Sequence, residues 1–180
     1  MISLKSKITK LVLNYFFLNP KAKGYTNELA RLFQVDPKNL DRKLKELEKE
    51  GLLKSEFLGK QRYFSLNLRY PLLKEYKRIV LKTIGFEKKL AEELAVLPGL
   101  TSAYIFGSYV KDKMDIMSDI DILLVGNHSP LEAQKLVLPL QKEIQREINI
   151  VDMSKKEFIA KKKKGNGFLK NVLASSIKIL

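Results

Sequence analysis

The sequence predicts an α+β chain in two parts, and three observations carry that reading. Residues 5–68 read as three helices followed by a β-hairpin. Residues 103–106, 119–125 and 148–151 are short apolar strands alternating with helical periodicity, which fits a small mixed-sheet α/β domain. Between the two parts, Gly85 interrupts a helical pattern that begins at Tyr70, and the charge balance changes beside it. The expected division is residues 1–68, a connecting helix over 69–83, and residues 84–180.

Composition narrows the chemistry. With 180 residues, 45% of them hydrophobic, there is enough chain for two modest cores. The absence of cysteine excludes disulfides and thiolate metal sites, and a reducing, cytoplasmic setting is expected. No signal peptide is visible, and the longest apolar runs are too short to span a bilayer. Net charge is +14, and residues 1–83 hold 19 Lys/Arg against 8 Asp/Glu, a balance of +11. Such a concentrated positive field favours a polyanionic partner, nucleic acid first and an anionic membrane surface well behind. The alternative is a lysine-rich solubilising surface.

In chain order, Ile8, Leu11, Val12, Tyr15 and Phe16 recur at helical spacing and stop before Asn19-Pro20. A loop containing Gly24 follows, then a short helix from Thr26 with Leu29, Ala30, Leu32 and Phe33 inward. Asp36-Pro37 pairs a cap residue with a first-turn proline, and Leu40, Leu44 and Leu47 form the stripe of the third helix. Gly51 ends it, and residues 52–57 and 62–66 read as strands around the turn Leu58-Gly59-Lys60-Gln61. This order, with Thr26-Asn27-Glu28-Leu29-Ala30, Gly51-Leu52-Leu53 and Arg62-Tyr63-Phe64-Ser65-Leu66, resembles the winged helix-turn-helix domains of prokaryotic transcriptional regulators. The resemblance implies DNA binding, with the third helix in the major groove and the wing on the backbone or in the minor groove. It points to Lys38, Asn39, Arg42 and Lys43 on the helix and to Lys60 and Arg62 on the wing. Lysines supply affinity more readily than base readout, so no operator sequence is implied. Arg42 also has a local alternative partner, Glu46, four residues on.

Residues 70–97 read as one long helix or two consecutive ones, carrying Leu73, Tyr76, Ile79 and Val80, then Phe86, Leu90, Leu94 and Leu97. A homodimer formed through this helix or the first one is possible for a regulator reading a two-fold site.

The chemistry sits in Ile105-Phe106-Gly107-Ser108 and in Asp119-Ile120-Asp121-Ile122 beyond it. A strand ending in Gly-Ser lets backbone N–H groups and a hydroxyl approach a phosphate. Alternation along the next strand sends Asp119 and Asp121 to one side, where magnesium could bridge them to phosphate oxygens. These motifs resemble the nucleotidyltransferase superfamily of the polymerase-beta type, and within it the minimal, single-domain prokaryotic members. That resemblance implies a nucleoside triphosphate with Mg2+, bound through Gly107, Ser108, Lys111 and Ser118, with Asp119 and Asp121 on the metal. It also implies a third acidic position on a later strand, and here that position falls on Asn149. Asparagine offers a carbonyl oxygen to a metal but cannot act as a general base, so transfer chemistry should be severely weakened. Asp152 lies three residues on, at odd spacing, and substitutes only if the strand ends or bulges. Lys111 stands where the family often has Arg, and Asp112 where Gly is common. A separate protein partner is a further implication, since minimal members often act with one.

The rest of the second part reads as support. Ser129-Pro130-Leu131-Glu132 is a capping box, followed by the stripe Ala133, Leu136, Val137, Leu140 and Ile144, with Pro139 expected to kink or shorten that helix. Ser154-Lys155-Lys156-Glu157 caps another helix, which runs into Lys161 to Lys164, a solvated helix end or a phosphate grip. Gly165-Asn166-Gly167 breaks it before a last helix and strand, and His128 reads as plain surface. Two functions fit. One is a DNA-binding transcriptional regulator whose nucleotidyltransferase-like domain binds Mg-nucleoside triphosphate with catalysis weakened at Asn149. The other is an active nucleotidyltransferase acting on a hydroxyl of protein, RNA or a small molecule.

Overall fold

The computed structural model describes residues 4–111 and 118–180, so Asp112 lies outside the described residues. The chain divides into two compact units, Met1–Gly85 and Phe86–Leu180.

The first unit contains α1 (Lys7–Leu18), β1 (Lys23–Tyr25), α2 (Thr26–Phe33), α3 (Pro37–Lys49), β2 (Leu53–Leu58), β3 (Gln61–Leu66) and α4 (Leu73–Thr83). Its sheet is antiparallel in the order β1-β3-β2. Strand β1 replaces the expected loop at Gly24, whose residue pairs with Phe64. Its sequence signal is weak because three residues are too few to show alternation. A Cβ at Gly24 would come within 2.7 Å of Leu29 Cδ2, so glycine lets the strand lie against α2.

Helix α1 buries Thr9, Val12, Leu13, Phe16 and Phe17, a stripe turned from the expected one, with Ile8, Leu11 and Tyr15 only half-buried. The displacement arises because α4 and α3 both pack on this helix, enclosing Leu13 and Phe17 as fully as Val12 and Phe16. Helix α3 behaves as its sequence demands. Asp36 accepts a hydrogen bond from the backbone N–H of Asn39 at 2.8 Å, Pro37 opens the first turn, and Leu40, Leu44 and Leu47 are buried. Each such fully enclosed leucine contributes on the order of 1.5–3 kcal/mol.

The second unit contains α5 (Phe86–Ala95), β4 (Leu100–Phe106), β5 (Ile120–Gly126), α6 (Pro130–Ile144), β6 (Ile148–Met153), α7 (Lys155–Lys163), α8 (Gly167–Ala174) and β7 (Ile177–Lys178). Its mixed sheet has the order β6-β5-β4-β7, with β5 and β6 parallel and the other pairs antiparallel. Leu123, Val125 and Met153 pack with Leu169 and Val172 of α8 and with Tyr104, Phe106, Val151 and Phe158. By strand alternation, Ala103, Ile105, Ile122 and Leu124 point to the opposite face, toward α5 and α6.

Pro139 does not shorten α6, which runs its full 15 residues to a left-handed cap at Gln145. Proline there is exposed, while Ala133, Val137, Leu140 and Ile144 remain buried on the far side, so packing offsets the missing hydrogen bond. Among the described residues, no helix is long and apolar enough to cross a membrane.

Candidate functional site

The acidic residues converge where β6, β5 and β4 lie side by side. Asp121 pairs in register with Phe106 on one side and with Asn149 on the other, so these side chains share one face of the sheet. Asp119 stands just before β5, and Asn149 Nδ2 donates to its Oδ2 at 3.1 Å. Burial pushes the Asp121 carboxyl above its ordinary value, a hydrogen bond from Asn149 pulls it back, and the charge of Asp119 adds to the rise. The Asn149 amide therefore serves both carboxylates as a neutral donor.

Gly107 follows β4 with φ of +77°, and a Cβ there would collide with Asp121 Oδ2. The glycine thus has a purpose beyond exposing backbone to phosphate, since it makes room for the carboxylate itself. Ser108 is half-buried in the same turn, and Lys111 is exposed at its end.

Two supporting residues were not singled out in the sequence. Arg146, 7% exposed, donates through Nη1 to the backbone carbonyl of Ser118 and so steadies the residue preceding Asp119. Tyr109, 8% exposed, donates its hydroxyl to Glu87 Oε1 at 3.0 Å and packs edge-on against Phe86. Burial first, then the Glu87 charge and hydrogen bond, raise the Tyr109 phenol well above its ordinary value. It stays neutral and tethers the Gly107-Ser108 turn to α5. The only hint of either in the sequence is an aromatic directly after Gly-Ser and an arginine two residues before a strand.

Asp152 does not join the acids. It pairs in register with Leu124, beyond the Asn149 level and on the other face, and its Oδ1 lies 2.7 Å from His128 Nε2. His128 is consequently not plain surface, because its side chain is only 2% exposed. The loop carrying it runs close against Gly99, where a Cβ would come within 2.8 Å of the Asn127 carbonyl oxygen.

Two carboxylates and an amide carbonyl are hard oxygen donors, and magnesium commonly takes one or two protein carboxylates plus substrate phosphates. The residues present fit that ion when a triphosphate completes the shell. No cluster of three or more His, Cys, Asp or Glu suited to holding a metal occurs among the described residues.

The residues expected to meet DNA divide by their partners. Lys38, Asn39 and Arg42 are exposed on α3, and Lys60 is exposed in the hairpin turn. Lys43 pairs with Glu46 at 2.5 Å, in place of the Arg42–Glu46 contact. Arg62 is engaged within the fold: it reaches Glu48 at 2.5 Å and Ser55 Oγ at 2.8 Å, and its guanidinium lies over Phe57 and Phe64.

Residues 87–179 match the nucleotidyltransferase domain family. One similar solved structure is a toxin–antitoxin with AMP-PNP, at 21% identity and TM-score 0.40 over 52% of this chain and 72% of that one. Another is a tri-AMPylated Shewanella oneidensis HEPN toxin in complex with MNT antitoxin, at 20% identity and TM-score 0.36 over 52% of this chain and 68% of that one. No curated protein matches the chain.

Proposed function

The chain belongs to the nucleotidyltransferase domain family, and from that premise we propose that its second unit binds a magnesium nucleoside triphosphate while turnover is weakened at Asn149. The first unit, on this reading, is a winged helix that holds double-stranded DNA, so the whole is a DNA-binding regulator with a nucleotide-responsive domain. The observation that carries the catalytic half is the Asn149 amide, a neutral donor to Asp119 at the position of the third carboxylate. It cannot take a proton from an attacking hydroxyl.

In this site Gly107 and Ser108 hold phosphate, Lys111 and Ser118 flank it, and Asp119 and Asp121 take the metal. Magnesium, once bound, neutralises phosphate charge and orients the triphosphate. Arg146 and Tyr109 act on positions, Arg146 through the Ser118 carbonyl and Tyr109 through α5. For the first unit, support comes from the helix and hairpin order, the exposed Lys38, Asn39, Arg42 and Lys60, and the +11 balance over residues 1–83.

The intact Asp119 and Asp121 favour a second reading, an active transferase working with two carboxylates and the Asn149 carbonyl. Both readings meet one experiment. Thermal stabilisation by magnesium ATP should appear in the wild-type chain and vanish in Asp119→Ala/Asp121→Ala. Transfer of label from alpha-labelled triphosphates to protein or nucleic acid should stay at background. Incorporation lost in the double variant would replace the regulator reading with the enzyme one, and absence of nucleotide-dependent stabilisation would end both.

A further inference from the structure

We infer that the exposed ring of Phe168, set edge-on against Phe106, is the platform on which the base of a bound purine nucleoside triphosphate stacks. The inference rests on the reading of Gly107, Ser108, Asp119 and Asp121 as the triphosphate and metal site.

Phe106 is the last residue of β4, precedes Gly107 directly, and faces Asp121 in register. It therefore borders the acidic residues on the same face of the sheet. Its ring meets Phe168 with centroids 5.7 Å apart and planes at 87°. Such a T-shaped contact covers at most one face of the Phe168 ring. The ring stays 41% exposed although its neighbour Leu169 is only 1% exposed.

Among the described residues, a Cβ at Gly165 or at Gly167 would meet no atom within 4 Å, so the segment leading to Phe168 stands clear of them. Asn166 Oδ1 accepts from the Leu169 backbone N–H at 3.1 Å, which fixes the first turn of α8, the backbone that carries Phe168. An exposed aromatic costs hydration unless something covers it. A base whose phosphates lie one residue beyond Phe106 is the partner that this placement suits, and a purine covers more of the ring than a pyrimidine.

The test is titration of the whole chain with magnesium ATP and with magnesium tripolyphosphate, which has the phosphates but no base. Phe168→Ala should weaken ATP about tenfold and leave tripolyphosphate within about twofold, while Phe168→Tyr keeps ATP affinity. UTP should lose less than ATP. Unchanged ATP affinity in Phe168→Ala overturns the inference while the phosphate site stands. An equal loss for both ligands overturns it too, by giving Phe168 a packing role alone. If the wild-type chain binds neither ligand, the triphosphate site falls and the stacking site with it.

Discussion

Asn149 Nδ2 donates to Asp119 Oδ2 at 3.1 Å, so a neutral amide ties the start of β6 to the residue that precedes β5. Replacing that amide by a carboxylate removes the donor and adds a third negative charge beside two others. Asn149→Asp should therefore lower the thermal midpoint of the metal-free chain. With magnesium or manganese it should raise label transfer by about a hundredfold or more, the usual contribution of a general base. Differential scanning and a transfer assay read the two effects separately. A variant that is neither less stable nor more active would show that the third position does not limit the site.

Gly107→Ala tests the room that Asp121 occupies. The φ of +77° disfavours a side chain, and the added Cβ meets Asp121 Oδ2. Denaturant unfolding should show a loss of about 1–3 kcal/mol, accompanied by weaker triphosphate binding. Full retention of both would mean that the turn relaxes freely.

Asp121 should make stability depend on pH in a definite sense. Burial and Asp119 together raise its carboxyl above the ordinary 3.8 against the pull of Asn149. The folded state thus binds the proton more tightly than the unfolded state. Its effect on stability is most favourable in acid and declines as pH rises from 3.8 through the raised folded value. Asp121→Asn removes that decline, so its thermal midpoint at neutral pH should equal or exceed that of the wild-type chain. The same variant should lose magnesium-dependent stabilisation by ATP. A large fall in the neutral-pH midpoint would contradict this account.

Arg62 and Glu48 give the opposite sign. Burial alone would raise the Glu48 carboxyl, but hydrogen bonds from Ser55 and Arg62 and the charges of Arg62 and Lys45 together bring it below 4.5. Its contribution is fully present above 4.5 and is lost as pH falls through the lowered folded value. Arg62→Ala should flatten that acid-side loss and loosen the hairpin from α3. Charge reversal at Arg42 and Lys60 should instead spare stability and weaken duplex DNA binding by about tenfold or more at low salt. If Arg62→Ala damages DNA binding with no change in the acid limb, its pairing with Glu48 is incidental.

Asp152→Ala separates the histidine pair from the acidic site. Because His128 is enclosed and its Nε2 faces Asp152, removing the carboxylate should cost about 1–3 kcal/mol. Nucleotide binding should be unaffected. Loss of nucleotide binding at unchanged stability would return Asp152 to the site.

Much of this arrangement was legible because it is local. The Asp36-Pro37 cap, the Leu40, Leu44 and Leu47 stripe and the Ser154 and Ser129 caps are written within one helical turn or a repeat of it. The Gly107-Ser108 turn and the spacing of Asp119 and Asp121 are equally local, while the parallel pairing that brings Asn149 beside Asp121 is not. What escaped depends on residues distant in sequence. Nothing near His128 announces Asp152 across 24 positions, and nothing near Arg62 announces Glu48 on another element. Strand β1 is too short to show a period, and Pro139 obeys packing over its own propensity. Arg146 combines both difficulties, being a charged residue that is buried for the sake of a backbone carbonyl far away.

Strand β7 is only two residues long, yet it covers the outer side of β4 through Tyr104 and Ile105, and the Ile179 backbone N–H extends the pairing to Ala103. Without it, β4 would present a row of unpaired amides to solvent, a template on which a strand from another molecule could add. Lys178 sits within this short guard, and its charge discourages a further strand from stacking outside it. Resistance to self-association at that edge therefore hangs on very few hydrogen bonds.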